Sequence, residues 1–129
     1  MVYLPSLPSD SIIPPKIDDF VVKPNEDVGR KDDQDKTRYD LIPPELLESV
    51  AVILTFGAKK YEDRNWEQGM KWSRVFGALM RHLWAWWNPF VPDTDSETGK
   101  SHLWHAGCCI AFLIAYEARK VGTDDRPKK

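Results

Sequence analysis

Cysteine, histidine and long apolar runs are all scarce in this 129-residue chain, and each shortage excludes something. The two cysteines, Cys108 and Cys109, are adjacent inside a helical pattern, where neighbours cannot close an ordinary disulfide. A disulfide framework is excluded, and reduced buried thiols in a cytoplasmic protein are expected. A basic excess is missing as well. Eighteen Lys and Arg against 20 Asp and Glu leave a formal charge of −2, so no nucleic-acid partner is expected. The longest apolar run, 107–116, is too short to span a bilayer, and no membrane partner is expected. Met1-Val2-Tyr3-Leu4-Pro5 lacks the charged and apolar parts of a signal peptide.

What is present is uneven along the chain. Seven of the ten prolines precede residue 45. The stretch 1–42 therefore reads as an extended arm, ending in a charged loop. Its apolar residues, among them Ile12, Ile13, Phe20 and Val22, give it something to dock with, on the domain or on a neighbouring subunit. From Pro43-Pro44 the pattern turns helical. Leu46, Leu47, Val50, Ile53, Leu54 and Ala58 repeat at helical spacing, and Lys59-Lys60 closes the first helix. Ser73 reads as the cap of a second helix with the stripe Val75, Phe76, Leu79, Leu83 and Trp86, stopped by Asn88-Pro89. Ser101 reads as the cap of a third, apolar on nearly all sides and ended by Gly122. The expectation is an all-α domain over 43–122, with 123–129 a frayed tail. Three helices make a thin monomer, so a homodimer or homotetramer is expected to cover the third.

All three histidines, His82, His102 and His105, fall in one stretch, with Asp93, Asp95 and Glu97 between them. His102 and His105 share a helix face, near the positive dipole end that disfavours imidazolium. A third imidazole from the second helix, with loop carboxylates, makes a divalent-metal or phosphate site. The expected ligands are His82, Asp95, Glu97, His102 and His105, with Glu48 joining from the first helix. Mixed imidazole and carboxylate donors suit Mn²⁺, Co²⁺ or Zn²⁺ better than an all-oxygen Mg²⁺ cage. Lys31, Lys36, Arg38, Lys59, Lys60 and Arg81 are candidates to grip phosphate, Arg81 and Lys60 foremost. Trp66, in a polar loop, is placed to stack on a base, and Asn65 to read it.

Four segments carry a family resemblance: Lys31-Asp-Asp-Gln-Asp-Lys-Thr-Arg-Tyr-Asp-Leu-Ile-Pro-Pro44, Phe56-Gly-Ala-Lys-Lys-Tyr-Glu-Asp-Arg-Asn-Trp66, Arg81-His-Leu-Trp-Ala-Trp86 and Asp95-Ser-Glu-Thr-Gly-Lys-Ser-His-Leu-Trp-His-Ala106. Together they resemble the phage-borne dATP/dGTP diphosphohydrolases, a MazG-like group that includes the MazZ proteins of phages with 2-aminoadenine DNA. The match spans roughly residues 29–119. It implies a MazG-like helical bundle completed by oligomerisation. It also implies a nucleoside triphosphate pyrophosphohydrolase acting on a purine substrate, dGTP or dATP, in phage nucleotide-pool control. The products are the monophosphate and pyrophosphate, and two or three Mg²⁺ or Mn²⁺ ions assist. Better-known MazG-like enzymes hold metal with Glu-Glu-x-x-Glu on one helix and Glu-x-x-Asp on the next. Here His82 and His102-x-x-His105 stand in part of that acidic set. Glu48 or Glu97 is the expected water-orienting base, beside His102 as a further catalytic residue. Two rivals are a non-catalytic phage interaction protein with a structural His/carboxylate metal site, and an HD-type triphosphate-releasing hydrolase. The chain has no adjacent His-Asp pair to support the latter.

Overall fold

A computed structural model describes residues 29–32 and 34–129, and the chain divides into two units after residue 37. Most of the expected arm thus lies outside the described residues. Of its last part, residues 34–36 turn with Asp35 at φ 68°, and Tyr39–Leu41 makes one 3₁₀ turn.

Three helices carry residues 38–129, and among the described residues there is no strand. Helix α1 spans Pro44–Lys60. Pro43 is the extended cap and Pro44 sits in the first turn, where its missing N–H is not needed. Helix α2 spans Trp72–Trp87 and stops as expected, since Asn88 before Pro89 is driven to an extended conformation. Helix α3 spans His102–Arg119, and the Ser101 hydroxyl accepts the Leu103 N–H at its start.

Two expected boundaries are corrected. Ser73 is not the cap of α2. The helix begins a residue earlier, and both the Ser73 N–H and hydroxyl donate to the Asp125 carboxylate. An acid from the chain's end thus serves the positive end of α2. Nor does Gly122 end α3. Lys120 takes the left-handed position at φ 55°, and Gly122 is used for close approach instead. At φ +78°, any Cβ on Gly122 would collide with the Met70 carbonyl oxygen, and one on Gly69 would lie 2.8 Å from the Gly122 nitrogen. The two glycines let Thr123 run beside Lys71, with the Trp72 N–H donating to the Thr123 carbonyl and the Thr123 N–H to that of Met70. The tail expected to fray is thereby pinned along the start of α2 as far as Arg126, whose guanidinium lies over the Trp72 ring at 4.9 Å.

The core follows the helical stripes only in part, since Leu46, Leu47, Phe76 and Trp86 of the expected faces are exposed. Val75 and Leu79 from α2 meet Ala106, Cys109 and Tyr116 from α3, with Trp66, Phe112 and Leu113 packed around them. Tyr116 is 1% exposed and donates its hydroxyl proton to the Trp66 carbonyl at 2.6 Å. Helix α3 packs on α2 along one side and on α1 along the other. Gly107 lies at the second contact, where a Cβ would meet Val50 at 3.5 Å, an ordinary van der Waals distance. A single layer of helices leaves large apolar groups outside: Leu47 is 71% exposed, Trp84 67% and Ile114 62%. No helix among the described residues is long and apolar enough to cross a membrane.

Candidate metal centre

The site grows from the loop before α3. Asp95 Oδ1 accepts the N–H groups of Glu97 and Thr98, at 2.9 and 3.1 Å. This turn within 95–98 is the local bonding an Asp side chain favours in a loop. The Asp95 N–H donates to the Lys100 carbonyl, and the His102 N–H to that of Asp93. A bridge between Thr94 and Ser101 closes the loop, and α3 starts at once with His102. The loop therefore delivers Asp95 beside the first turn of α3.

His82 reaches the same place from α2. Its Nδ1 lies 3.0 Å from His102 Nδ1, and its ring stacks on that of His105 with centroids 4.5 Å apart. His105 Nε2 is 2.7 Å from Thr98 Oγ1 and 3.8 Å from Asp95 Oδ1. Burial, reinforced by the other two imidazoles, holds His82 below its ordinary pKa. Burial also holds His105 low, against the upward pull of Asp95. For Asp95, burial pushes the pKa up. The N–H groups of Thr98 and Glu97 outweigh it, and the carboxyl is held below its usual range. Neutral imidazoles beside an ionised carboxylate are what a divalent cation needs. Among the described residues, His82, Asp95 and His102 each offer a ligand atom, all within 4.8 Å of one another.

The other expected ligands are not gathered there. The Glu97 carboxylate pairs with the Lys60 ammonium at 2.6 Å, turned to the end of α1. Glu48 is exposed near the start of α1, roughly 18 Å along the helix from Lys60 by its rise per residue. Neither belongs to the close donor set. Of the expected phosphate grips, Lys60 is thus engaged with Glu97, and Arg38 is doubly hydrogen-bonded to Asp40. Lys31 and Lys36 belong to the other unit. Asn65 opens a 3₁₀ turn, Asn65–Gln68, and is exposed. Trp66 turns inward, stacked on Phe112 at 4.5 Å under the Arg119 guanidinium. Arg81 alone of these borders an open groove beside the histidines. Thr98 was missed. Its signal was the run Asp95-Ser-Glu-Thr98, the length of one Asp-capped turn, which aims the hydroxyl at His105.

A family model described as dATP/dGTP diphosphohydrolase, N-terminal, matches residues 26–126, which contain every group of this centre. A dATP/dGTP diphosphohydrolase of Salmonella phage PMBT28 is 37% identical over 98 residues, 76% of this chain and 33% of that protein. The chain thus spans about a third of the length of the curated relative it matches. No solved structure matches it.

Proposed function

The chain belongs to the family of dATP/dGTP diphosphohydrolase N-terminal regions, and from that premise we propose a metal-dependent nucleoside triphosphate pyrophosphohydrolase. Its substrate is a purine deoxynucleoside triphosphate, dGTP or dATP. The observation that carries the reading is the convergence of His82, Asp95 and His102 from a helix, a loop and a second helix. A divalent cation fits that set, two imidazoles and an ionised carboxylate, and Mn²⁺ suits it better than Mg²⁺. Three donors match one cation, against the two or three ions the family resemblance implies. When bound, the cation neutralises phosphate charge and acidifies water.

The protein's own groups do the rest. Arg81 binds phosphate oxygens as a planar fork. His105, neutral and fixed by Thr98, takes the proton of the attacking water in the role first assigned to Glu48 or Glu97. The water oxygen bonds to the α-phosphorus, and the bond from that phosphorus to the bridging oxygen breaks. Pyrophosphate leaves, and the nucleoside monophosphate remains. The exposed apolar residues of α2 and α3 support a homodimer or homotetramer.

The test is a product assay across the eight common nucleoside triphosphates, in Mg²⁺ and in Mn²⁺, resolved by ion exchange. Monophosphate and pyrophosphate from a purine deoxynucleotide are expected, and abolished by His102→Ala. Free triphosphate, or no turnover with either metal, overturns the proposal.

A further inference from the structure

A groove of about 450 Å³ lies between α2 and α3. It starts where the imidazole cluster stops, because Arg81 neighbours His82 and Cys109 sits one turn beyond His105. Its floor is apolar, made by Val75, Ala78 and Phe112 with the Cys109 thiol. Its lining also includes two arginines, Arg74 and Arg81, both from α2. That helix has no acidic residue. Neither guanidinium has an ion-pair or hydrogen-bonding partner among the described residues, whereas Arg38, Arg64, Arg119 and Arg126 all do. The Arg81 guanidinium lies back over Gly77, 3.3 Å from where a Cβ would stand.

The spacing of the two arginines along α2 fits one kind of ligand. Their backbone positions are seven apart, roughly 10 Å along the axis. That is about the distance from the phosphate of a nucleotide to the far edge of its purine. The floor between them is apolar and suits a ring rather than a phosphate chain. A guanidinium has only donors, so the group it meets must offer only acceptors.

We propose that this groove seats the nucleoside, with Arg81 on the phosphate and Arg74 on the O6 and N7 atoms of a guanine. The proposal rests on the nucleotide-hydrolase reading of the adjacent centre, and makes Arg74 the residue that sets base preference. Guanine presents two acceptors on that edge, which Arg takes as a bidentate pair. Adenine presents its N6 amino group there, and donor would face donor. The discrimination from one such pair is on the order of tenfold or more.

The test is calorimetric binding of dGMP and of dAMP to the full chain with Mn²⁺. The wild type is expected to bind dGMP about tenfold more tightly. Arg74→Gln is expected to abolish or invert that preference, since Gln pairs with adenine N6 and N7. Arg74→Lys is expected to retain part of it, and Arg81→Gln to weaken both nucleotides alike. Arg74 is exposed, so the variants keep the wild-type circular dichroism and melting. A wild type without preference, or an Arg74→Gln that loses both nucleotides equally, overturns the assignment. If purine triphosphates are hydrolysed with Arg74→Gln unchanged in its base ratio, this inference falls and the hydrolase stands. If dGMP binds with the expected preference and no triphosphate is turned over, the hydrolase falls and the groove stands.

Discussion

Asp95 and Glu97 are two positions apart in one loop, and replacing each by its amide separates two accounts of the centre. Asp95→Asn keeps an oxygen for the N–H groups of Glu97 and Thr98, so the turn survives and only the charge is lost. A unit charge about 4 Å from another contributes about 4 kcal/mol at an effective dielectric of 20, and twice that against a dication. Desolvation of both partners returns most of it. A net loss of about 3 kcal/mol is expected, a hundredfold or more in Kd. Glu97→Gln breaks only a half-exposed pair with Lys60, and Mn²⁺ affinity is expected to move less than threefold by the weakness of such surface pairs. The assay is calorimetric Mn²⁺ titration of both variants after chelator treatment, with turnover measured alongside. If Glu97→Gln loses as much affinity as Asp95→Asn, the donor set drawn from the geometry is refuted.

Three further outcomes are expected. Gly99→Ala and Gly122→Ala both put a side chain at positive φ, but only the second meets backbone, so the first costs about 1 kcal/mol and the second about 3 or more. Thermal melts check this, and equal melting temperatures would contradict the crossing of Gly69 and Gly122. Tyr116→Phe strips the half-buried Trp66 carbonyl of its donor and is expected to cost about 1–2 kcal/mol in urea unfolding, with no effect on Mn²⁺ affinity. Burial pushes the Cys108 thiol up to about 12. The folded state then keeps a proton that the unfolded chain releases from about pH 9, so stability is full below that pH. Above it, stability falls by about 1.4 kcal/mol per unit. Cys108→Ala should reduce that slope in urea unfolding between pH 8 and 11, leaving the part due to the Cys109 thiol, which burial also raises, and an unchanged slope would mean the Cys108 thiol is not a cause.

The sequence made the helices legible because their signals are local. Pro43-Pro44, Asn88-Pro89 and Ser101 act on the residues beside them, and His102 and His105 share a face by spacing alone. The convergence of His82 was legible for the same reason, as it lies on the stripe that packs α2 on α3. What escaped was set by distant partners. Ser73 has the chemistry of a cap, but the carboxylate that engages it is 52 residues away. Glu97 has the chemistry of a ligand, and Lys60, 37 residues earlier, competes for it. Trp66 reads as a base platform in its polar loop, until the fold sets Phe112 against it. Arg74 carried no motif, and only the floor beside it gives it a role.

The turn at Asp95 has a consequence for timing. One carboxylate oxygen accepts two backbone N–H groups, and backbone hydrogen bonds from Asp95 to Lys100 and from His102 to Asp93 close the loop around it. The loss of chain entropy that ordering a loop entails falls at folding rather than at the arrival of the cation. On the proposed reading, a cation would therefore meet a carboxylate whose turn is already held by the backbone N–H groups of Glu97 and Thr98.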